Sequence, residues 1–241
     1  MAVITGAASG IGRAIAHKFA ANGASVCLLD VDRKHAEAVA AEITSAGGTA
    51  SAYECDVSDR ASIGSTFCTI LQQGRVHILV NNAGVSHIGT VESTTELDFD
   101  RAFRINVKGY FNCINAVIGK MKSAGGGVIL NMASVAGSTG LAERFAYSTS
   151  KGAAIAMTYS VARDYIGHNV RCNCVSPARV AYDIRRWLSG KELPRPRAGN
   201  IRETGEDTTY RQNGKTGRSS LACPLLVFGC GFVHYRSRLP S

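Results

Sequence analysis

Tyr147 and Lys151 stand four residues apart at the start of a helical stretch, so their side chains share one face. A phenol, with an ordinary pKa of about 10, is a poor base at neutral pH. An adjacent ammonium stabilises phenolate and lowers that pKa, as reversible proton transfer to a carbonyl oxygen requires. Ser134, in the run NMASVAG, follows a strand-like segment and offers a hydroxyl to the same oxygen. The spacing alone is weak, because a surface Tyr and Lys on an amphipathic helix give the same pattern.

Near the other end of the chain lies a candidate for binding phosphate and ribose. TGAASGIG, residues 5–12, follows an apolar strand and opens a helix. Gly6 permits the tight turn, Gly10 lets the backbone approach a pyrophosphate, and Gly12 allows close helix-to-strand contact. Ser9 and Ile11 complete this stretch, where N–H groups of the helix start face the phosphates. A lone glycine motif is weak, and Asp30 supplies its context. It ends the second strand, 18 residues beyond Gly12, where a carboxylate accepts hydrogen bonds from an adenosine ribose and repels a 2′-phosphate. The cofactor expected is therefore NAD and not NADP. The competing role for an aspartate here is a helix N-cap, which neighbouring Asp32 can also take. Asp56, after the third strand, can reach the adenine edge. The run Asn81 to Gly84 follows the fourth strand, at the carboxyl end where open sheets bind ligands. Ser86 and His87 come next and are candidates for the substrate pocket, against a solvent-facing loop.

These side chains need a scaffold, and the apolar pattern provides one. Strand-like runs over Ala2–Thr5, Ser25–Leu29, Thr49–Glu54, Val76–Val80, Val128–Asn131 and Val170–Cys174 alternate with helical patterns. The helices are expected over Ile11–Asn22, Arg33–Ala46, 59–73, 96–122 and 146–166. Continuous apolar strands in a βαβα rhythm predict a doubly wound parallel α/β sheet of the Rossmann type, with helices on both faces. A chain of 241 residues, 45% of them apolar, accommodates one such domain.

The net charge of +9 would suggest an anionic partner such as nucleic acid, but its distribution argues otherwise. Residues 1–180 hold 16 basic and 13 acidic side chains, a net of +3; residues 181–241 hold 11 and 5, a net of +6. No nucleic-acid partner is expected. Eight cysteines show no CxxC and no regular framework. Cys172 and Cys174 share a strand face without further ligands, so no metal site is expected and the thiols read as free in a reducing compartment. The chain opens directly into a strand, and no uncharged apolar span reaches 18 residues. A cytoplasmic protein with no membrane partner is the expectation.

Together the motifs resemble the classical short-chain dehydrogenase/reductase family. That family shows a TGxxxGxG start, an NNAG element, a catalytic serine, a YxxxK pair and an asparagine in its long central helix. Thr5–Gly12, Asn81–Gly84, Ser134, Tyr147 with Lys151, and Asn106 in RINVKG match these in order and spacing over about residues 1–180. The resemblance implies that Tyr147 is the general acid/base, that Ser134 orients the substrate, and that Lys151 holds the nicotinamide ribose and tunes the tyrosine. It makes Asn106 the holder of a water that relays protons. Asp56 and Val57 would flank the adenine, while Asn82, Ala83, Gly84 and Pro177 would line the cofactor. Direct hydride transfer between nicotinamide and an alcohol or carbonyl carbon, with no metal, is the implied reaction. A homo-tetramer is the implied assembly.

After Pro177 the resemblance breaks. Residues 181–241 lack the family's expected threonine, substrate-covering segment and last strand. Four of the five prolines fall there, and only Leu221–Val233 is strongly apolar. When the segment is back-translated and read one nucleotide later, synonymous codons give a string with that threonine, a GKPEEVA helix start and an SFITG final strand. The expectation is thus a Rossmann domain over 1–180 followed by an aberrant, out-of-frame segment, from a one-base insertion or sequencing error near Arg179–Ala181. For the same reason the usual subunit interface is expected to be replaced, and poor folding or weak activity is expected of this exact chain. A PGRE stretch in the shifted string resembles sugar-acid dehydrogenases and points to a small polar alcohol or ketone substrate. Two alternatives stand beside it: a 3-oxoacyl thioester reductase, against which Asp30 argues, and a catalytically inactive nucleotide-binding protein.

Overall fold

The computed structural model describes residues 1–178. Six strands form one parallel sheet: β1 (Ala2–Thr5), β2 (Ser25–Asp30), β3 (Thr49–Glu54), β4 (Ile78–Asn81), β5 (Gly127–Met132) and β6 (Val170–Val175). Their order is β3-β2-β1-β4-β5-β6. The chain winds outward from β1 to β3 and then crosses back to place β4 on the other side of β1. The connections after β1 and β4 therefore leave in opposite directions, opening a crevice at the carboxyl ends of the strands.

Alternate strand residues supply the two halves of the core. Val3, Leu29, Leu79 and Ile129 enter one cluster, together with Phe67 and Ile70 of α3 (Arg60–Gln73) and Val117 and Met121 of α5 (Gly109–Ser123). Ile4, Val26, Leu28 and Val80 enter the other, with Ala16 of α1 (Gly10–Ala21) and Val39 and Ile43 of α2 (Arg33–Ser45). Both faces are covered, which is why the strands read as unbroken apolar runs. The fold is the doubly wound Rossmann type that the pattern predicted.

Two departures bear on the site. The helix expected over 96–122 is interrupted: α4 (Glu96–Phe103) and α5 are joined by a π-helical turn, Arg104–Lys108, which contains Asn106. A short helix, α6 (Ala136–Thr139), follows the Ser134 loop and precedes α7 (Phe145–Tyr165). Gly137 of α6 lies directly against the α7 backbone: a Cβ there would meet the Lys151 carbonyl carbon at 2.7 Å.

Among the described residues no helix is long and apolar enough to cross a membrane, and no group of three or more His, Cys, Asp or Glu converges as metal ligands. The segment 181–241, with its apolar run Leu221–Val233, lies outside the described residues.

Candidate active site

The turn between β1 and α1 depends on backbone conformations that glycine adopts easily. Gly6 and Gly10 have φ of +63° and +56°. Asn82, after β4, donates from Nδ2 to the carbonyl oxygens of Thr5 and Gly6, both at 3.0 Å. In return Thr5 Oγ1 accepts from the N–H groups of Asn82 and Ala83, again both at 3.0 Å. These four bonds lock the two motif-bearing turns together across the crevice.

Gly12 stands behind that turn and does not line the cleft. A Cβ there would meet the Gly6 carbonyl oxygen at 2.1 Å, so its place is set by helix-to-strand contact and not by a ligand. Asp30, at the end of β2, does line the cleft. Its Oδ2 accepts from the Ala8 N–H at 2.9 Å and its Oδ1 from the Asp32 N–H at 3.1 Å. Asp32 caps α2 by accepting from the His35 N–H, so the two aspartates divide the cleft and cap roles between them.

At the other end, β5 delivers Ser134 to the cleft. The serine is buried, and its Oγ accepts from the Ala136 N–H at 3.2 Å. Tyr147 and Lys151 lie one turn apart near the start of α7, and both line the same cleft. Lys151 is only 4% exposed. Its ammonium donates to the Met132 carbonyl oxygen at 2.6 Å and lies 5.9 Å from the centre of the Tyr147 ring. Burial lowers its pKa to about 8, because desolvation penalises the charged form.

Asn106 is fully buried and is absent from the cleft wall. Its Oδ1 accepts from the Val85 N–H at 2.8 Å, and its Nδ2 donates to the Val85 carbonyl and to Ser150 Oγ, both at 2.9 Å. Ser150 Oγ in turn donates to the Tyr147 carbonyl oxygen at 2.8 Å. The amide thus fastens the loop after β4 to the helix carrying Tyr147.

One cleft of about 550 Å³ gathers Gly6, Ser9, Gly10, Ile11, Asp30, Asp56, Val57, Asn82, Ala83, Gly84, Ser134, Tyr147, Lys151 and Pro177. Residues 1–192 match the short chain dehydrogenase family. The chain belongs to this family.

This short-chain dehydrogenase is similar to the D-threitol dehydrogenase of Mycolicibacterium smegmatis, at 38% identity over 185 residues covering 76% of this chain and 71% of that protein. It is also similar to a sorbitol dehydrogenase of Cereibacter sphaeroides, at 40% identity, with 77% of this chain and 72% of that protein covered. Among solved structures, a metagenomic short-chain oxidoreductase in complex with NADP aligns with a TM-score of 0.71 and 35% identity, covering 74% of this chain and 82% of that one. An NAD+-bound xylitol dehydrogenase aligns with the same TM-score and 36% identity, covering 73% and 68%. An oxidoreductase of the short-chain type is therefore established.

Sequence reasoning missed part of the wall of this dehydrogenase. Val31, Cys55, Val85, Ile105, Met132 and Ala178 also line the cleft. Each lies within two residues of a motif position, Ile105 beside Asn106 included, so adjacency to the motifs was the available signal. Of the two loop candidates, Ser86 lines the cleft, whereas His87 places Nδ1 3.7 Å from Asp98 Oδ1.

Proposed function

We propose that this chain is an NAD-dependent dehydrogenase or reductase acting on small polar alcohols and ketones, in the class of polyols, sugars and sugar acids. The observation that carries the reading is a buried lysine beside Tyr147 in a cleft whose other end bears the Asp30 carboxylate. The polyol names of the relatives support the substrate class.

The cleft suits a dinucleotide. At Gly10 the left-handed backbone and the start of α1 leave N–H groups for a pyrophosphate, with Gly6, Ser9 and Ile11 around them. Asp30 would hold the adenosine ribose hydroxyls and disfavour a 2′-phosphate. Asp56 and Val57 would flank adenine, and Asn82, Ala83, Gly84 and Pro177 would line the remainder. When bound, the nicotinamide supplies or accepts the hydride. Tyr147 gives a proton to the substrate oxygen in reduction and takes it in oxidation, while Ser134 donates a hydrogen bond to that oxygen. Lys151 stabilises the phenolate and is available to the nicotinamide ribose. The Asn106 amide bonds to Val85 and Ser150, so it would act by bracing the loop after β4 against the helix that carries Tyr147.

Residues 181–241 are, in this reading, an out-of-frame segment standing in place of the family's lid, last strand and tetramer contacts. The coding DNA tests that directly, since codons incompatible with the shifted string contradict it. The function is tested by titrating NAD(H) and NADP(H) and then screening polyols, sugars and sugar acids. NAD preference with polyol or sugar-acid turnover is expected. NADPH preference with thioester reduction would favour the 3-oxoacyl reductase alternative instead.

A further inference from the structure

Tyr110, on α5, has no part in the mechanism above, yet it lies against Lys151. Its side chain is 1% exposed, and its hydroxyl donates to the Met132 carbonyl oxygen at 2.9 Å. Lys151 Nζ lies 3.2 Å from that same hydroxyl and 2.6 Å from that same carbonyl. It is also 5.3 Å from the centre of the Tyr110 ring. The ammonium, the hydroxyl and the carbonyl therefore close a hydrogen-bonded triangle in the wall of the cleft. An ammonium carries three N–H donors. Two are engaged by Tyr110 and Met132, which leaves the third for a ligand in the cleft that Lys151 lines.

We propose that Tyr110 is a positioning residue for this reaction: its hydroxyl keeps the Lys151 ammonium charged and fixed beside Tyr147. The proposal rests on the roles given to Lys151 and Tyr147 in the preceding reading. A buried ring at this position fills the core equally well as phenylalanine, so the hydroxyl needs a separate explanation, and the triangle provides it. Burial, with Tyr147 and Cys113 nearby, pushes the Tyr110 phenol far above its ordinary range. It therefore stays a neutral hydroxyl, donating to Met132 and accepting from Lys151, and does not compete with Tyr147 for the proton. Desolvation pulls the Lys151 pKa down, and an acceptor on the ammonium opposes that pull. The titratable neighbours are Tyr147 on the same helix and Tyr110 on α5, with Cys113 behind it. The end of β5 and the turn after β4 present backbone, at Met132 and Gly84.

The test is Tyr110→Phe in the full chain, with the Lys151 midpoint followed by NMR of 13Cε-labelled lysine and assigned through Lys151→Arg. Loss of one hydrogen bond to a charged group lowers the midpoint by about one pH unit. The alkaline limb of kcat/KM for alcohol oxidation moves down with it. Tyr110→Met, apolar and adaptable in shape, serves as a second variant with the same expected fall. A midpoint unmoved in either folded variant overturns the proposal. Because the titration needs no turnover, a shifted midpoint in a chain whose version with the shifted reading also oxidises no alcohol sinks the proposed activity and leaves the Tyr110–Lys151 linkage standing.

Discussion

The Asp30 carboxylate accepts a hydrogen bond from the backbone N–H of Ala8 at 2.9 Å, tying the end of β2 to the glycine turn. The carboxylate that would select the cofactor is thus held rigidly beside the loop that would cradle the cofactor's phosphates. In the proposed reading, Asp30→Ala would remove both the ribose acceptor and the charge that opposes a 2′-phosphate. NAD affinity is expected to fall about 10- to 100-fold, the worth of one or two hydrogen bonds to a charged group. NADP affinity falls less or rises. Fluorescence titration of both cofactors measures the ratio, and an unchanged preference contradicts the assignment.

Gly12 tests the turn without touching the cleft. A Cβ there would stand 2.1 Å from the Gly6 carbonyl oxygen and 2.5 Å from Asn82 Nδ2. The first of these is backbone and cannot swing aside, so Gly12→Ala forces helix and strand apart. A loss of about 1–3 kcal/mol is expected from overpacking of this kind. Urea unfolding measures it, and weaker cofactor binding accompanies it because Gly6 and Gly10 move with the turn.

Lys151 makes a stability prediction whose sign depends on pH. Its pKa is about 8 in the folded chain and about 10.4 in an unfolded one. Between those values the unfolded state binds the extra proton, so the parent chain gains stability as pH rises through this window. Below pH 8 both states are protonated, and the cost of the buried ammonium is present in full. Lys151→Met lacks this group. Its stability relative to the parent should therefore decline by about 3 kcal/mol between pH 8 and 10.5. Urea unfolding of both proteins across that range checks it, and a constant difference contradicts it.

The sheet and its switch point were legible because continuous apolar runs and paired turn motifs are local signals. β1 and β3 match their expected bounds, and β2 runs to Asp30 as the pattern suggested. The π-helical turn at Arg104–Lys108 was not legible, because one added residue hardly disturbs a helical apolar pattern. Gly12 and Asn106 were read as motif residues, and both stand behind the cleft wall, where they brace the elements that form it. Tyr110 gave no signal in sequence at all: nothing local ties a tyrosine on α5 to a lysine 41 residues later on α7.

The segment 181–241 yields a prediction at the level of the whole chain. Among the described residues β6 pairs with β5 and with no other strand. If the tail is out of frame, this chain binds NAD but turns over weakly and aggregates through unpaired apolar sheet. A version carrying the shifted reading should be more soluble and far more active. Sedimentation and turnover assays on the two proteins decide the matter, and ordinary dehydrogenase turnover by the present chain contradicts the idea.

The most direct test of the whole account is the rate of alcohol oxidation by Tyr147→Phe in a folded sample saturated with NAD. In the proposed mechanism the phenolic hydroxyl accepts the proton, so kcat should fall by about 100-fold or more while NAD still binds. Turnover equal to that of the unmodified chain would contradict it.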